Sequence, residues 1–165
     1  MSLQSVKQYL EQFNRQQDVL LFNSSSATVM EAANVLNVIP ARIAKTLSFQ
    51  GVEQPILVVA AGDTKIDNAK FKKHFQVKAK MLDTEIVMEQ TGHPVGGVCP
   101  FGLANDLPVF LDISLQRFDT VFPACGSPNS AIELTCEEME LYSKARGWVD
   151  VCKGWYEEVI EPISV

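Results

Sequence analysis

Twelve residues, Thr91-Gly92-His93-Pro94-Val95-Gly96-Gly97-Val98-Cys99-Pro100-Phe101-Gly102, hold four glycines and two prolines, a density that no helix or strand interior tolerates. Glycine lets main chain approach a neighbour closely, and proline fixes φ while removing a donor. The stretch therefore predicts a rigid, shaped loop of bare backbone, suited to holding a ligand. A second small-residue turn, Cys125-Gly126-Ser127-Pro128-Asn129, and a lysine on an apolar strand, Lys45, are its expected partners around a pocket.

A chain of 165 residues with 47% hydrophobic content can bury one good core, so a single domain over residues 1–165 is expected. The longest purely apolar run, Ile56 to Ala61, falls far short of the ~20 residues that span a bilayer. No membrane partner is expected. Met1 to Phe13 lacks the basic start and apolar run of a secretion signal, which points to a cytoplasmic protein. Cys99, Cys125, Cys136 and Cys152 form no CxxC pair and the histidines are His74 and His93, so neither a metal nor another cofactor is expected.

The net charge of −6 is unevenly spread. Lys65 to Lys80 contains six lysines and one acid, Asp67, whereas Ala131 to Val165 carries eight acids and three bases. A basic strip on an acidic body is either a solvated helix face or a patch suited to an RNA end, and it disfavours long duplex DNA as a partner.

Apolar periodicity predicts a helix over about Leu3 to Arg15 and a short strand over Val19 to Phe22. Thr28 with Glu31 has capping-box form and opens a helix that ends before Pro40. Lys45 to Gln50 alternates as a strand, with Lys45, Leu47 and Phe49 on one face and Thr46 and Ser48 on the other. Ile56 to Ala61 is apolar on both faces, as a central strand is. Asp67 caps a helix to about Phe75, and a further helix, Thr84 to Gln90, ends at Gly92. Strands follow over Val109 to Ile113, Thr120 to Pro123 and Ser130 to Leu134. Thr135 with Glu138 then starts a helix that stops at Gly147, and Trp148 to Cys152 forms a last strand. Connections between several strands are too short for parallel crossovers. The expected fold class is therefore α/β (α+β): a mixed, largely antiparallel sheet, curled toward a barrel, with helices around it.

Lys45 must pair with an acid, reach solvent at a pocket rim, or hold an anionic ligand. Gly96, Gly97, Val98, Cys99 and Pro100 can present N–H groups to a carbonyl or ribose oxygen, and Gly126 and Ser127 can do so from the opposite side; purely structural turns are the alternative. Phe22, Phe49 or Phe101 can line the pocket. His93 with Cys99 or Cys125 is a conceivable thiolate–imidazole pair, although nothing in their spacing specifies one. The chain has no GxSxG, Walker A or dinucleotide fingerprint.

Together, Arg42-Ile43-Ala44-Lys45-Thr46-Leu47, the Gly62-Asp63 turn before a lysine-rich helix, the Gly92 to Gly102 loop and Cys125 to Asn129 resemble the YbaK/EbsC family. Its members are freestanding relatives of the editing domain of bacterial prolyl-tRNA synthetases. The likeness runs from about Val19 to Val151 with the motifs in order. It implies an α/β fold around a barrel-like sheet and an aminoacyl-tRNA hydrolase, a carboxylic ester hydrolase that clears a mischarged tRNA, such as a proline tRNA carrying alanine or cysteine. The family's characteristic lysine falls on Lys45, its following threonine on Thr46, its GxxxP loop on Gly96 to Pro100, and its glycine-serine turn on Gly126-Ser127. Phe101 follows the loop as a further substrate contact. Implied partners are the tRNA acceptor end and, in some settings, prolyl-tRNA synthetase. A non-catalytic module that binds a small ligand or tRNA 3′ end through the same pocket is the alternative. Cys99 and Cys125 depart from the other small residues expected at their loop positions.

Overall fold

The computed structural model describes residues 2–155. Of the expected single domain over residues 1–165, Met1 and residues 156–165 lie outside the described residues. The elements run α1 (Ser2–Leu10), β1 (Leu20–Leu21), α2 (Val29–Leu36), β2 (Ile43–Phe49), β3 (Ile56–Ala61), β4 (Lys65–Ile66), α3 (Asn68–Phe75), α4 (Thr84–Thr91), β5 (Val109–Asp112), β6 (Thr120–Pro123), β7 (Ser130–Ala131), β8 (Leu134–Thr135), α5 (Cys136–Ser143), β9 (Gly147–Val149) and β10 (Cys152–Lys153).

Six strands in the order β8-β6-β2-β3-β5-β9 curl into a half-barrel. The longest ladder is antiparallel β2–β3, from Ala44↔Ala61 to Phe49↔Ile56. The β2–β6, β3–β5 and β5–β9 pairings are parallel, while β6–β8, β1–β7 and β4–β10 are antiparallel. Antiparallel pairings thus lead by four to three over all described strands, although parallel ones lead within the six-stranded sheet. The mixed α/β sheet read from the sequence is the one observed.

Every residue of β3 is buried, because the sheet is covered on both faces. Leu57, Val59 and Ala61 join one core with Val6, Leu10, Phe101, Leu111 and Leu134. Ile56, Val58 and Ala60 join the other with Phe49, Phe71 and Val151. Pairing places Lys45, Leu47 and Phe49 on this second face and Thr46 and Ser48 on the first, as alternation predicts.

Both capping boxes form. Glu31 N–H donates to Thr28 Oγ1 at 3.1 Å and Thr28 N–H to Glu31 Oε1 at 3.2 Å, and Thr135 and Glu138 repeat the pair at 2.9 and 3.1 Å. Each such cap is worth about 1 kcal/mol. Asp67 Oδ1 accepts from Ala69 and Lys70 N–H, and Gly92 closes α4 at φ 79°.

Five of these elements differ from the periodicity reading. The first helix stops at Leu10 and continues as a 3₁₀ turn, Glu11–Phe13, ended by left-handed Asn14. Val19 to Phe22 shrinks to Leu20–Leu21, which are 41% and 56% exposed, because they pair with β7 at the rim of the fold rather than entering the core. Ser130 to Leu134 is two strands: Ser130–Ala131 pairs with β1, whereas Leu134–Thr135 pairs with β6. Trp148 to Cys152 also divides, since Val151 N–H turns aside to donate to buried Asp112 Oδ1 at 2.9 Å. The helix expected to run to Gly147 stops at Ser143 because Lys144 takes the left-handed position, φ 54°.

Candidate active site

A cavity of about 290 Å³ lies along the edge of β2. Its walls come from the segment leading into α2 (Ser26, Ala27) and the first residue of that helix (Val29), from Ile43 to Ser48, from the glycine-rich loop (Val95, Gly96, Val98), and from Met81, Phe122 and Ser130. The lining is mostly apolar and the volume is near the lower end for small-molecule sites, roughly 300 Å³.

The edge is open for a structural reason. The parallel ladder from β6 ends at Ala44↔Pro123, and the next contact on that side is Ser48 accepting from Leu82 N–H at 3.0 Å. Peptide groups alternate sides along a strand, so those of Thr46 face outward in the gap between these two contacts. Thr46 Oγ1 is buried there without a hydrogen-bond partner among the described residues, and so is Ser26 Oγ, whose residue is only 7% exposed. Ser26 is held in place through its main chain, which donates to the Pro128 carbonyl at 2.7 Å.

Lys45 lines the same cavity, but its ammonium turns toward the opposite face of the sheet and donates to the Thr64 carbonyl. Burial pushes its pKa down, only partly countered by Cys152 and Asp63 nearby. Asp63 is itself held by Arg117 through bonds of 2.7 and 3.0 Å, and no described carboxylate pairs with Lys45. The site therefore keeps a half-buried cation with spare donors.

The glycine-rich loop is only partly devoted to the cavity. Gly96 and Val98 line it, and no described residue accepts their N–H groups. Gly97 instead donates to the Pro94 carbonyl and accepts from Gly126 N–H, both at 2.9 Å. A Cβ on Gly97 would stand 2.6 Å from Ser127 N, so this glycine exists to let the two turns touch. Gly126 and Ser127 consequently stand behind the cavity wall. Ser127 Oγ reaches it only through Ser130 Oγ, 2.7 Å away. Pro100 faces a different groove, beside Tyr9 and Ser143. Cys99 and Phe101 are fully buried core residues, as is Phe49, and Phe22 does not line the cavity.

His93 is also core. Ser2 Oγ meets its Nδ1, and its Nε2 lies 2.7 Å from the Phe101 carbonyl, so Nε2 carries the proton. Burial lowers its pKa and raises that of Cys99 to about 12, leaving a thiol 3.7 Å from a neutral imidazole. Cys125 is pushed up by burial as well. A thiolate nucleophile has no support.

The sequence reading missed Ser26, Ala27, Val29, Met81 and Phe122 as lining residues. The serine run Ser24 to Ser26 before the capping box was the available signal for the first of these.

Residues 23–141 match the sequence profile described as the aminoacyl-tRNA editing domain. The chain belongs to this family. An uncharacterized protein of Bacillus subtilis, YwhH, is 58% identical over 156 residues, covering 94% of this chain and 99% of its own. Proline–tRNA ligase of Kosmotoga olearia is 30% identical over 90 residues; the match covers 54% of this chain but 16% of the ligase. The fold superposes, with TM-score 0.84 and 28% identity, on a crystal structure described as a candidate trans-editing enzyme for prolyl tRNA synthetase, covering 93% of this chain and 98% of that one. The match thus takes up nearly all of that structure's chain and about a sixth of the ligase. No helix among the described residues is long and apolar enough to cross a membrane.

Proposed function

We propose that this editing domain is a trans-acting deacylase that hydrolyses the ester joining a small wrong amino acid to the 3′ end of a tRNA, with proline tRNA as its principal substrate. The observation that supports the reading is one small cavity that gathers the open edge at Thr46, the orphaned Ser26 hydroxyl and the unaccepted N–H groups of Gly96 and Val98, with Lys45 in its wall and the ammonium of that residue on the Thr64 carbonyl behind. Donors in the wall of an apolar pocket suit an acyl ester. Donors fixed beforehand stabilise the oxyanion that develops when the ester carbonyl is attacked.

Gly96 and Val98 N–H would take that oxyanion. Ser26 and Thr46 would orient the amino acid, and the Lys45 ammonium, swung from the Thr64 carbonyl, would hold a phosphate or ribose oxygen of the terminal adenosine. Water adds to the acyl carbon, the bond to the ribose oxygen breaks, and that oxygen leaves with a proton. Among the described lining residues there is no carboxylate or imidazole, so the proton must pass through water or a substrate group. An aminoacyl ester is reactive enough for positioning and oxyanion stabilisation to suffice. The cytosol, where synthetases release charged tRNA, is the expected place of action, and prolyl-tRNA synthetase is the expected supplier of substrate.

The same lack of a general base favours one second reading, a module that binds a tRNA 3′ end or small ligand without turnover. A panel of proline tRNAs charged with alanine, cysteine, serine, threonine or proline separates the two. Release of a wrong amino acid that disappears in Lys45→Ala supports the deacylase. Binding without release across the panel supports the module.

A further inference from the structure

The sequence leaves a lysine strip that the cavity does not use. In the fold it becomes a band. Lys65, Lys70, Lys72, Lys73, Lys78 and Lys80 are all exposed, and the β4–β10 pairing sets exposed Lys153 beside Lys65. Two acids stand in the band: Asp67, occupied as the cap of α3, and Asp150, paired with Lys70 at 3.1 Å. Asp83 follows at the far end of the strap after Leu82. Lys65, Lys72, Lys73, Lys78, Lys80 and Lys153 form no ion pair with any described residue.

The band is shaped as well as charged. A groove runs between the first turns of α3 and the strap that follows it, lined by Asn68, Ala69, Lys72, Lys78 and Ala79. The strap continues directly into the cavity: Lys80 accepts from Gln50 N–H at 2.9 Å, Met81 bridges Phe49, and Met81 lines the cavity wall. Ala79 and Met81 are thus about 7 Å apart along extended chain. On the face of the sheet that α3 covers, the Lys45 ammonium meets the Thr64 carbonyl, one residue before Lys65. Positive charge therefore leads from the groove along the strap to the cavity wall at Met81, on a molecule that is otherwise acidic.

We infer that the α3 groove and its lysines form a binding track for the sugar-phosphate backbone of the RNA whose 3′ end enters the cavity. This rests on the deacylase reading for the identity of that RNA, but not for the track itself. Phosphates are contacted here by flexible ammonium groups without base readout, so the track supplies affinity and direction rather than sequence preference. It also resolves how a chain of net charge −6 approaches a polyanion, because charge is concentrated where the backbone must lie.

The test uses the full chain and an unacylated acceptor-stem minihelix ending in CCA, with binding followed by fluorescence anisotropy over a salt series. Lys72→Gln/Lys78→Gln should weaken binding about tenfold and reduce the slope of log affinity against log salt by about 1.5, as expected for two lost phosphate contacts. Lys144→Gln, on the far end of α5, is the charge control and should stay within about twofold of the parent. Equal losses in the control and the double variant, or an unchanged salt slope in the double variant, would overturn the track. If the parent hydrolyses no charged tRNA, the deacylase reading falls while the binding series still decides the track. If it does hydrolyse them, the ratio of kcat/KM on charged minihelix to that on a charged CCA fragment should fall about tenfold in the double variant.

Discussion

Two groups of buried polar side chains lie in this fold and are treated in opposite ways. Around Asp112, every partner is supplied. Its carboxylate accepts from Ser114 N–H at 3.0 Å and Val151 N–H at 2.9 Å, and Ser114 Oγ accepts from Ala61 N–H at 3.1 Å. His93 is likewise bonded at both ring nitrogens. Around the cavity, Ser26 Oγ and Thr46 Oγ1 are buried and left open. A satisfied network fixes where strands end, whereas orphaned groups cost stability that only a ligand returns. Buried polarity alone does not mark a site; unfinished hydrogen bonding in a cavity does.

The sharpest way to break this contrast is to exchange the expected effects. Asp112→Ala should strand two buried N–H groups and cost about 4 kcal/mol, since each unsatisfied donor costs roughly 1–3 kcal/mol. For a chain of this size that lowers Tm by about 10 °C, readable by thermal denaturation. Lys45→Ala should do the reverse. It removes a cation that burial disfavours, so Tm should hold or rise, while kcat/KM on a mischarged tRNA should fall about 100-fold, roughly 3 kcal/mol. A Lys45→Ala protein that melts early with activity intact would place Lys45 among the structural groups. Ser26→Ala is the finer version: an unpaired hydroxyl is lost without harm to Tm, and KM rises several-fold, about 1 kcal/mol. A drop in Tm with KM unchanged would show that the hydroxyl serves the fold.

The contrast also explains what was legible in the sequence. The caps at Thr28, Asp67 and Thr135, the stop at Gly92 and the doubly buried β3 depend on neighbours a few residues away, so local pattern sufficed. Lys45 stood out because a lysine sits on the apolar face of a strand, and Thr46 came only with the family resemblance; both do line the cavity. The loop misled in part. Its glycines suggested bare donors, yet Gly97 is small because the Gly126-Ser127 turn presses against it, and Cys99 and Phe101 are drawn into the core beside Tyr9 and His93. Nothing local distinguishes a glycine kept for a ligand from one kept for another turn. Ser26 was missed for a similar reason: the serine run marks the segment, but which hydroxyl faces the cavity is set by the Pro128 carbonyl, far along the chain.

The smallest effect at neutral pH, and the most specific, is in the alkaline limb of activity. Burial lowers the pKa of Lys45, so its ammonium loses its proton at a pH below the ordinary lysine value of 10.5. Below that folded-state pKa the cation is present and binds an anionic oxygen; above it the group is neutral and the contact is lost. Activity, corrected for spontaneous ester hydrolysis, should therefore decline at alkaline pH earlier than a solvated lysine would allow. Lys45→Arg, whose guanidinium keeps its charge throughout, should abolish that limb even if its absolute rate is lower. The sign for stability is opposite to that for activity: the charged form is the one burial penalises, so the fold should gain slightly as Lys45 deprotonates. An alkaline limb that persists unchanged in Lys45→Arg would assign the titration to another group and remove Lys45 from the site.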